Sequence, residues 1–208
     1  MKKKHMEIIK ELSDKDLLFH LYATQLLLLA ISAILGFILF NDFSSFFDLF
    51  FWEDLNILYI GAGAGIAVVL ADLLLMKIVP ASYYDDGGLN ERIFRNRNPL
   101  HIAVIAAIVA FCEELLFRGV IQTHFGLLVS SIIFAAVHYR YLFNWFLFVN
   151  IIVLSFLIGI IYLKTGNLAV TIVMHFLIDF LLGISIRYRK QDNIEETGRD
   201  LDEQRGSL

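Results

Sequence analysis

Cys112-Glu113-Glu114-Leu115-Leu116-Phe117-Arg118 stands inside an apolar run that extends over 100–124, and that juxtaposition decides how the whole chain is read. A run of about 20 apolar residues is what a helix needs to cross the hydrocarbon core of a bilayer. Ionisable groups at that depth are expensive, so they persist mainly where they face a cavity or one another and perform a task. Two further interruptions of the same kind follow, Phe134-Ala135-Ala136-Val137-His138 and His175-Phe176-Leu177-Ile178-Asp179. Two glutamates, an arginine, two histidines and an aspartate thus fall on three separate predicted helices. An intramembrane active site is the default reading.

Composition supports the membrane assignment. Hydrophobic residues make up 58% of the 208 residues and charged residues 18%, and the mean hydropathy is +0.70. That is too apolar for a soluble domain of this size. The first apolar stretch, 17–40, outruns a signal-peptide core and has no small-x-small cleavage site after it, so it is expected to remain as a helix. The single cysteine, Cys112, can form no intrachain bridge and leaves the redox compartment open. The net charge of -4 is uninformative, because the charges crowd into tails and loops.

Apolar runs between polar breaks predict an all-α, polytopic bundle of about six spans: 17–40, 57–79, 100–124, 126–140, 142–163 and 167–186. The boundary between the third and fourth rests on Gly119 and Gly126 alone. Pro80 and Pro99 bracket a polar loop. The chain divides into an N-terminal two-helix part with that loop, 1–99, a four-helix part holding every motif, 100–190, and a charged tail, 191–208, expected to be disordered. Basic residues set the orientation. Lys2, Lys3, Lys4, Lys10 and Lys15, then Lys77, Arg92, Arg95 and Arg97, then Arg140, and finally Arg187, Arg189 and Lys190 fall on one side if there are six spans. The other side receives Asp42, Asp48, Glu53, Asp54 and Lys164. A multi-pass protein of the cell membrane with both termini cytoplasmic is expected.

Spacing gives the candidate chemistry. Glu114 and Arg118 share a helical face four residues apart, so the arginine can neutralise the glutamate. Glu113 is rotated by about 100° and is left for a second partner, free to accept a proton from water. The alternative is a structural ion-pair network between helices. His138 ends a helix with Phe134 one turn earlier, and alone it would be read as an interfacial anchor. His175 and Asp179 are again four apart and aim at one point, as metal ligands or a hydrogen-bonding pair would. Glu113 and His175 fall within a turn or two in depth. Gly61 and Gly65 have the spacing of close helix contacts. Asp72 is a second-tier candidate that could pair with Lys77, and His124 is expected to be interfacial. HExxH, GxSxG and Walker motifs are absent.

The order Glu113-Glu114-x-x-x-Arg118, Phe134-x-x-x-His138, His175-x-x-x-Asp179 resembles the CPBP intramembrane protease family, which includes type II CAAX prenyl endopeptidases and bacteriocin self-immunity (Abi) proteins. The glycine-containing stretch 156–168, ending in Thr165-Gly166-Asn167-Leu168, is similar to that family as well. The resemblance covers about 99–186. It implies that Glu113 activates a water assisted by His138, that Glu114 and Arg118 hold that arrangement, and that His175 with residue 179 stabilises the oxyanion. The prenyl proteases have asparagine where this chain has Asp179. An ionised aspartate cannot donate to an oxyanion, so Asp179 must be protonated, orient His175 or bind a metal. The donor set Glu113, His138, His175 and Asp179 would suit zinc. The metal-free glutamate mechanism is favoured, with no cofactor.

The leading expectation is an intramembrane endopeptidase acting on a peptide or protein substrate at the membrane, with the lipid bilayer as its medium and no nucleic acid as partner. A non-catalytic immunity or scaffold protein of the same fold is the alternative. A transporter is a third class, and it lacks paired repeats and proline-broken helices.

Overall fold

The computed structural model describes residues 12–139, 141 and 144–206, and no strand occurs among them. α1, Asp14–Leu39, starts at a capping box in which the Ser13 hydroxyl accepts the Asp16 amide while the Asp16 carboxylate accepts the Ser13 amide. Few of its side chains are buried, as suits a helix whose surface meets lipid. α2, Phe43–Phe47, is a short turn capped by Asp42. α3 spans Ile57–Ile78 and opens as a π-helix over Ile57–Ala62. α4, Leu89–Phe94, follows a turn in which the Asp86 carboxylate accepts the Gly88, Leu89 and Asn90 amides.

α5, Pro99–Glu114, is capped by Asn98, with a proline in its first turn where a missing N–H costs nothing. The helical path runs on as a π-helix over Leu115–Gln122 and then as α6, Thr123–Val137. α7, Trp145–Thr165, stops at Gly166, whose φ of 61 is left-handed. α8 is Leu168–Gly206.

Among the described residues, five helical stretches are long and apolar enough to cross a membrane: α1, α3, Pro99–Val137, α7 and Leu168–Arg189. The expected fourth span, 126–140, is folded inside the third of these. Gly126, at φ 82 and ψ 170, breaks the helix. The Ser130 hydroxyl donates to the Phe117 carbonyl at 2.6 Å, whereas residues thirteen apart on a straight helix would be separated by roughly 20 Å. The chain therefore reverses at Gly126, not at Gly119, which sits inside the π-helix against Leu168. The helix after the break covers 127–137 and reaches only about 16 Å. The expected fourth span is thus a short return leg. It leads to Asn144, whose side chain donates to the Ser82 and Asp85 carbonyls at 3.4 and 3.3 Å.

Contacts at the two ends fix the order of the legs. Arg92 pairs with Asp14 at 3.0 Å, and the Arg187 guanidinium donates to the Arg97 carbonyl. The start of α1, the connection between α3 and α5, and the α8 segment around Arg187 therefore share one end of the bundle. At the other end the Phe40 and His124 rings meet at 4.6 Å. There the buried Asn167 side chain donates to the Phe51 carbonyl and the Asp54 carboxylate at 2.8 and 3.1 Å. With the Asn56 amide, that contact holds the Asp54 carboxyl below the usual range. Lys2, Lys3, Lys4, Lys10 and Arg140, which carry part of the orientation argument, lie outside the described residues.

α8 stays helical to Gly206, through a charged stretch expected to be disordered. That stretch has no proline, and before the terminal Gly206 its one glycine is Gly198, so a long helix already nucleated propagates through it.

α3 and α8 run parallel at close range. A methyl at Gly61 would lie 2.6 Å from the Val170 carbonyl oxygen, and one at Gly65 would lie 2.9 Å from that of Met174. The partner advances four residues as the glycine does, so the helices keep a constant register. Below this contact Val69, Ile158, Val170, Met174 and Ile178 form a buried apolar cluster joining α3, α7 and α8. Gly61→Ala should lower the unfolding temperature of the detergent-solubilised protein, with a loss of about 1–3 kcal/mol because rigid backbone must give way. Gly63→Ala faces open space and should be neutral or stabilising. Equal effects of the two changes would remove the close contact from the account.

Candidate active site

The site is assembled from two ends of one hairpin and from α8. At the end of α5, Glu113 and Glu114 are both buried, with Glu114 wholly so. They point to different partners, as their rotation about the helix axis requires. The next residues form the π-helix, a rare conformation that recurs at functional sites.

Glu114 is the hub. Its Oε1 lies 2.9 Å from His175 Nδ1 on α8. Its Oε2 is 3.4 Å from Arg118 Nε, an ion pair without hydrogen-bond alignment. Arg118 is held from the other side, since its NH2 donates to the Ser155 carbonyl of α7 at 3.1 Å. Its guanidinium also sits over the Phe134 ring at 5.0 Å, where the ring's electron-rich face attracts a cation. The expected Glu114–Arg118 pair is present, and the cross-helix bond to His175 is an addition that spacing within one helix could not disclose.

Glu113 faces the return leg. Its Oε2 is 3.9 Å from His138 Nε2, beyond direct hydrogen bonding. His138 Nδ1 lies 2.8 Å from the Phe134 carbonyl, which can only accept, so Nδ1 carries a proton and donates it. In the neutral ring Nε2 then presents a lone pair toward Glu113. The imidazole is stacked on Phe134, with centroids 4.4 Å apart, and faces Tyr141 at 6.2 Å.

His175 repeats this logic. Its Nδ1 proton is donated to Glu114, which leaves Nε2 facing Asp179 Oδ2 at 3.6 Å. A lone pair opposite an ionised carboxylate is repulsive, so a proton on one of the two atoms lets them coexist. Asp179 keeps 29% of its side chain exposed and lines a cavity of about 1380 Å³ between α3, α7 and α8.

The six residues singled out from the sequence thus form two sets, Glu113 with His138, and Glu114 with Arg118, His175 and Asp179. Among the described residues, no three His, Cys, Asp or Glu side chains converge as a metal set would. Sequence reasoning passed over Ser155 and Tyr141. A hydroxyl in a membrane helix and a tyrosine near an interface carry no pattern that separates them from ordinary residues. Asp72 makes no ion pair with Lys77, which is exposed, and it lines the same cavity as Asp179.

A family model described as type II CAAX prenyl endopeptidase Rce1-like matches residues 95–181. The chain is 44% identical over 165 residues to the uncharacterized protein YpbD of Bacillus subtilis (strain 168), which covers 79% of this chain and 87% of the relative. No solved structure matches it.

Removing the hub should cost stability as well as any activity. Glu114→Ala leaves the Arg118 charge buried without its counter-ion and His175 Nδ1 without its acceptor, a loss of roughly 3–5 kcal/mol for a desolvated pair. Thermal unfolding in detergent measures this, and a Glu114→Ala protein as stable as wild type would deny the glutamate a supporting role.

Proposed function

The chain belongs to the Rce1-like type II CAAX prenyl endopeptidase family, and on that footing we propose that it is an intramembrane endopeptidase that hydrolyses a peptide bond of a membrane-associated peptide or protein. The observation that carries the reading is the facing pair Glu113 and His138, with the histidine's Nδ1 proton committed to a carbonyl.

A gap of 3.9 Å between Glu113 Oε2 and His138 Nε2 leaves the two acceptors to share a water rather than each other. Glu113 takes a proton from that water as its oxygen attacks the scissile carbonyl carbon, and His138 orients it. The tetrahedral intermediate bears its negative charge on the former carbonyl oxygen. A proton carried by the His175–Asp179 pair is donated there, and Glu114 fixes the imidazole for that task. Collapse breaks the C–N bond. The proton held by Glu113 passes to the leaving amine, and the products are a carboxylate and an amine. Zinc on Glu113, His138, His175 and Asp179 would first have to draw the two sets together, so this route uses the carboxylate alone.

We also place the end of the bundle carrying Lys77, Arg92, Arg95, Arg97 and Arg187 in the cytoplasm, because basic flanks are retained there. In a Cys112→Ala background, Ser44→Cys should react with an impermeant thiol reagent in intact cells and Ser82→Cys should not. The reverse labelling would invert the orientation.

Glu113→Gln keeps the shape of the side chain and loses the base. The rate of product formation, followed by mass spectrometry of a membrane-proximal peptide in native membranes, should fall by about 10²- to 10⁴-fold without a change in unfolding temperature. Asp179→Asn should retain most activity, because the amide N–H still donates a hydrogen bond. Purified wild type should carry no stoichiometric zinc. Full activity of Glu113→Gln ends the general-base assignment, and bound zinc lost together with activity in Asp179→Asn ends the metal-free mechanism.

A further inference from the structure

The cavity beside the site holds a carboxylate that the proposed reaction does not use. Its walls are apolar, with Leu75, Leu147, Ile151, Leu154, Ile178 and Leu182 contributing from α3, α7 and α8. It touches the candidate site through Asp179 and through Tyr141, the ring that faces His138. At its charged rim nearly every group has a partner. Asp85 accepts the Gly87 amide and Asp86 caps the first turn of α4. Glu91 pairs with Arg95 at 3.0 Å. Arg189 reaches the Met76 sulfur.

Asp72 is the exception. It is half-buried on α3, inside a membrane-crossing helix, and it has no hydrogen bond or ion pair among the described residues. The neighbouring Tyr84 hydroxyl is already donated to the Leu75 carbonyl. A carboxylate at that depth is costly unless it faces a cavity and has work to do. The fixed register of α3 on α8 gives its height. With Gly61 opposite Val170 and Gly65 opposite Met174, Asp72 comes level with Leu181, six residues beyond His175. That is about 9 Å along the axis, or roughly three residues of an extended peptide.

We propose that Asp72 is a specificity residue: its carboxylate receives a lysine or arginine side chain of the peptide substrate about three residues from the bond that is cut. The inference rests on the endopeptidase reading for its substrate and on the cavity for its chemistry. Around the cavity five carboxylates face two guanidiniums, and a single added cation reduces that imbalance. The apolar walls hold the stem of a long basic side chain while its charged end meets Asp72.

The test uses the full chain in phosphatidylcholine nanodiscs and three fluorescent, apolar dodecapeptides that differ in one residue, lysine, glutamine or glutamate. Anisotropy reports binding and mass spectrometry reports cleavage. Wild type should bind the lysine peptide about tenfold more tightly than the glutamine peptide, as a charge-assisted hydrogen bond would provide. Asp72→Asn should lose that preference, and Asp72→Lys should transfer it to the glutamate peptide. Unfolding temperatures of both variants check that the fold is kept. A lysine preference that survives in Asp72→Asn, equal binding of the three peptides, or no binding of any overturns the assignment. Loss of the preference when phosphatidylethanolamine is added assigns the carboxylate to a lipid ammonium and overturns it as well. Charge preference without product in wild type sinks the endopeptidase reading and leaves Asp72 its cation, whereas cleavage without charge preference does the reverse.

Discussion

A buried negative charge at bilayer depth is the constraint around which this bundle is arranged. Glu114 is fully enclosed, and an isolated carboxylate there would be untenable. It is answered by Arg118 from its own helix and His175 from α8. Arg118 brings its own requirement, a polar and electron-rich socket, which Ser155 and Phe134 supply. One glutamate therefore recruits α5, α6, α7 and α8 to a common point. The geometry of Glu113 and His138 follows from that convergence, because Phe134 both covers Arg118 and accepts the His138 Nδ1 proton.

The close approach of α3 to α8 makes the same economy with apolar means. Gly61 and Gly65 remove the side chains that would hold the helices apart, and dispersion contacts at short range replace a hydrophobic driving force that lipid does not provide. α3 carries no motif of the candidate site, yet it forms one wall of the cavity that Asp179 lines.

How much of this was legible depends on whether the information lies along one helix or between two. Glu114 with Arg118, His175 with Asp179 and Gly61 with Gly65 are patterns of four residues, and helical periodicity exposes them. The glycine contact and the Glu114–Arg118 pair needed nothing else. The bond between Glu114 and His175 joins residues with no periodic relation, so spacing was silent. Gly126 and Gly119 looked alike in the sequence, because only the backbone reveals which glycine takes positive φ and which is packed against Leu168. The π-helix was equally hidden. Its cause is a shift in carbonyl partners, not a change in composition. The role of Asn167, which ties the start of α8 to the loop before α3, was invisible inside what read as a simple Thr-Gly turn.

The reversal at Gly126 has a consequence for how the protein is made. Glu113 and His138 belong to one continuous hairpin, closed by Ser130 on Phe117, and that unit is complete before α8 has left the ribosome. Sixty-one residues separate Glu114 from His175, an interval of roughly 3 to 12 s at ordinary rates of synthesis. During that time Glu114 has its own arginine as counter-ion, so the nascent hairpin enters the bilayer as a nearly neutral pair of charges rather than as a bare acid. Arg118 is in this sense a travelling companion for the glutamate, present from the moment of insertion, while His175 arrives last and closes the polar centre.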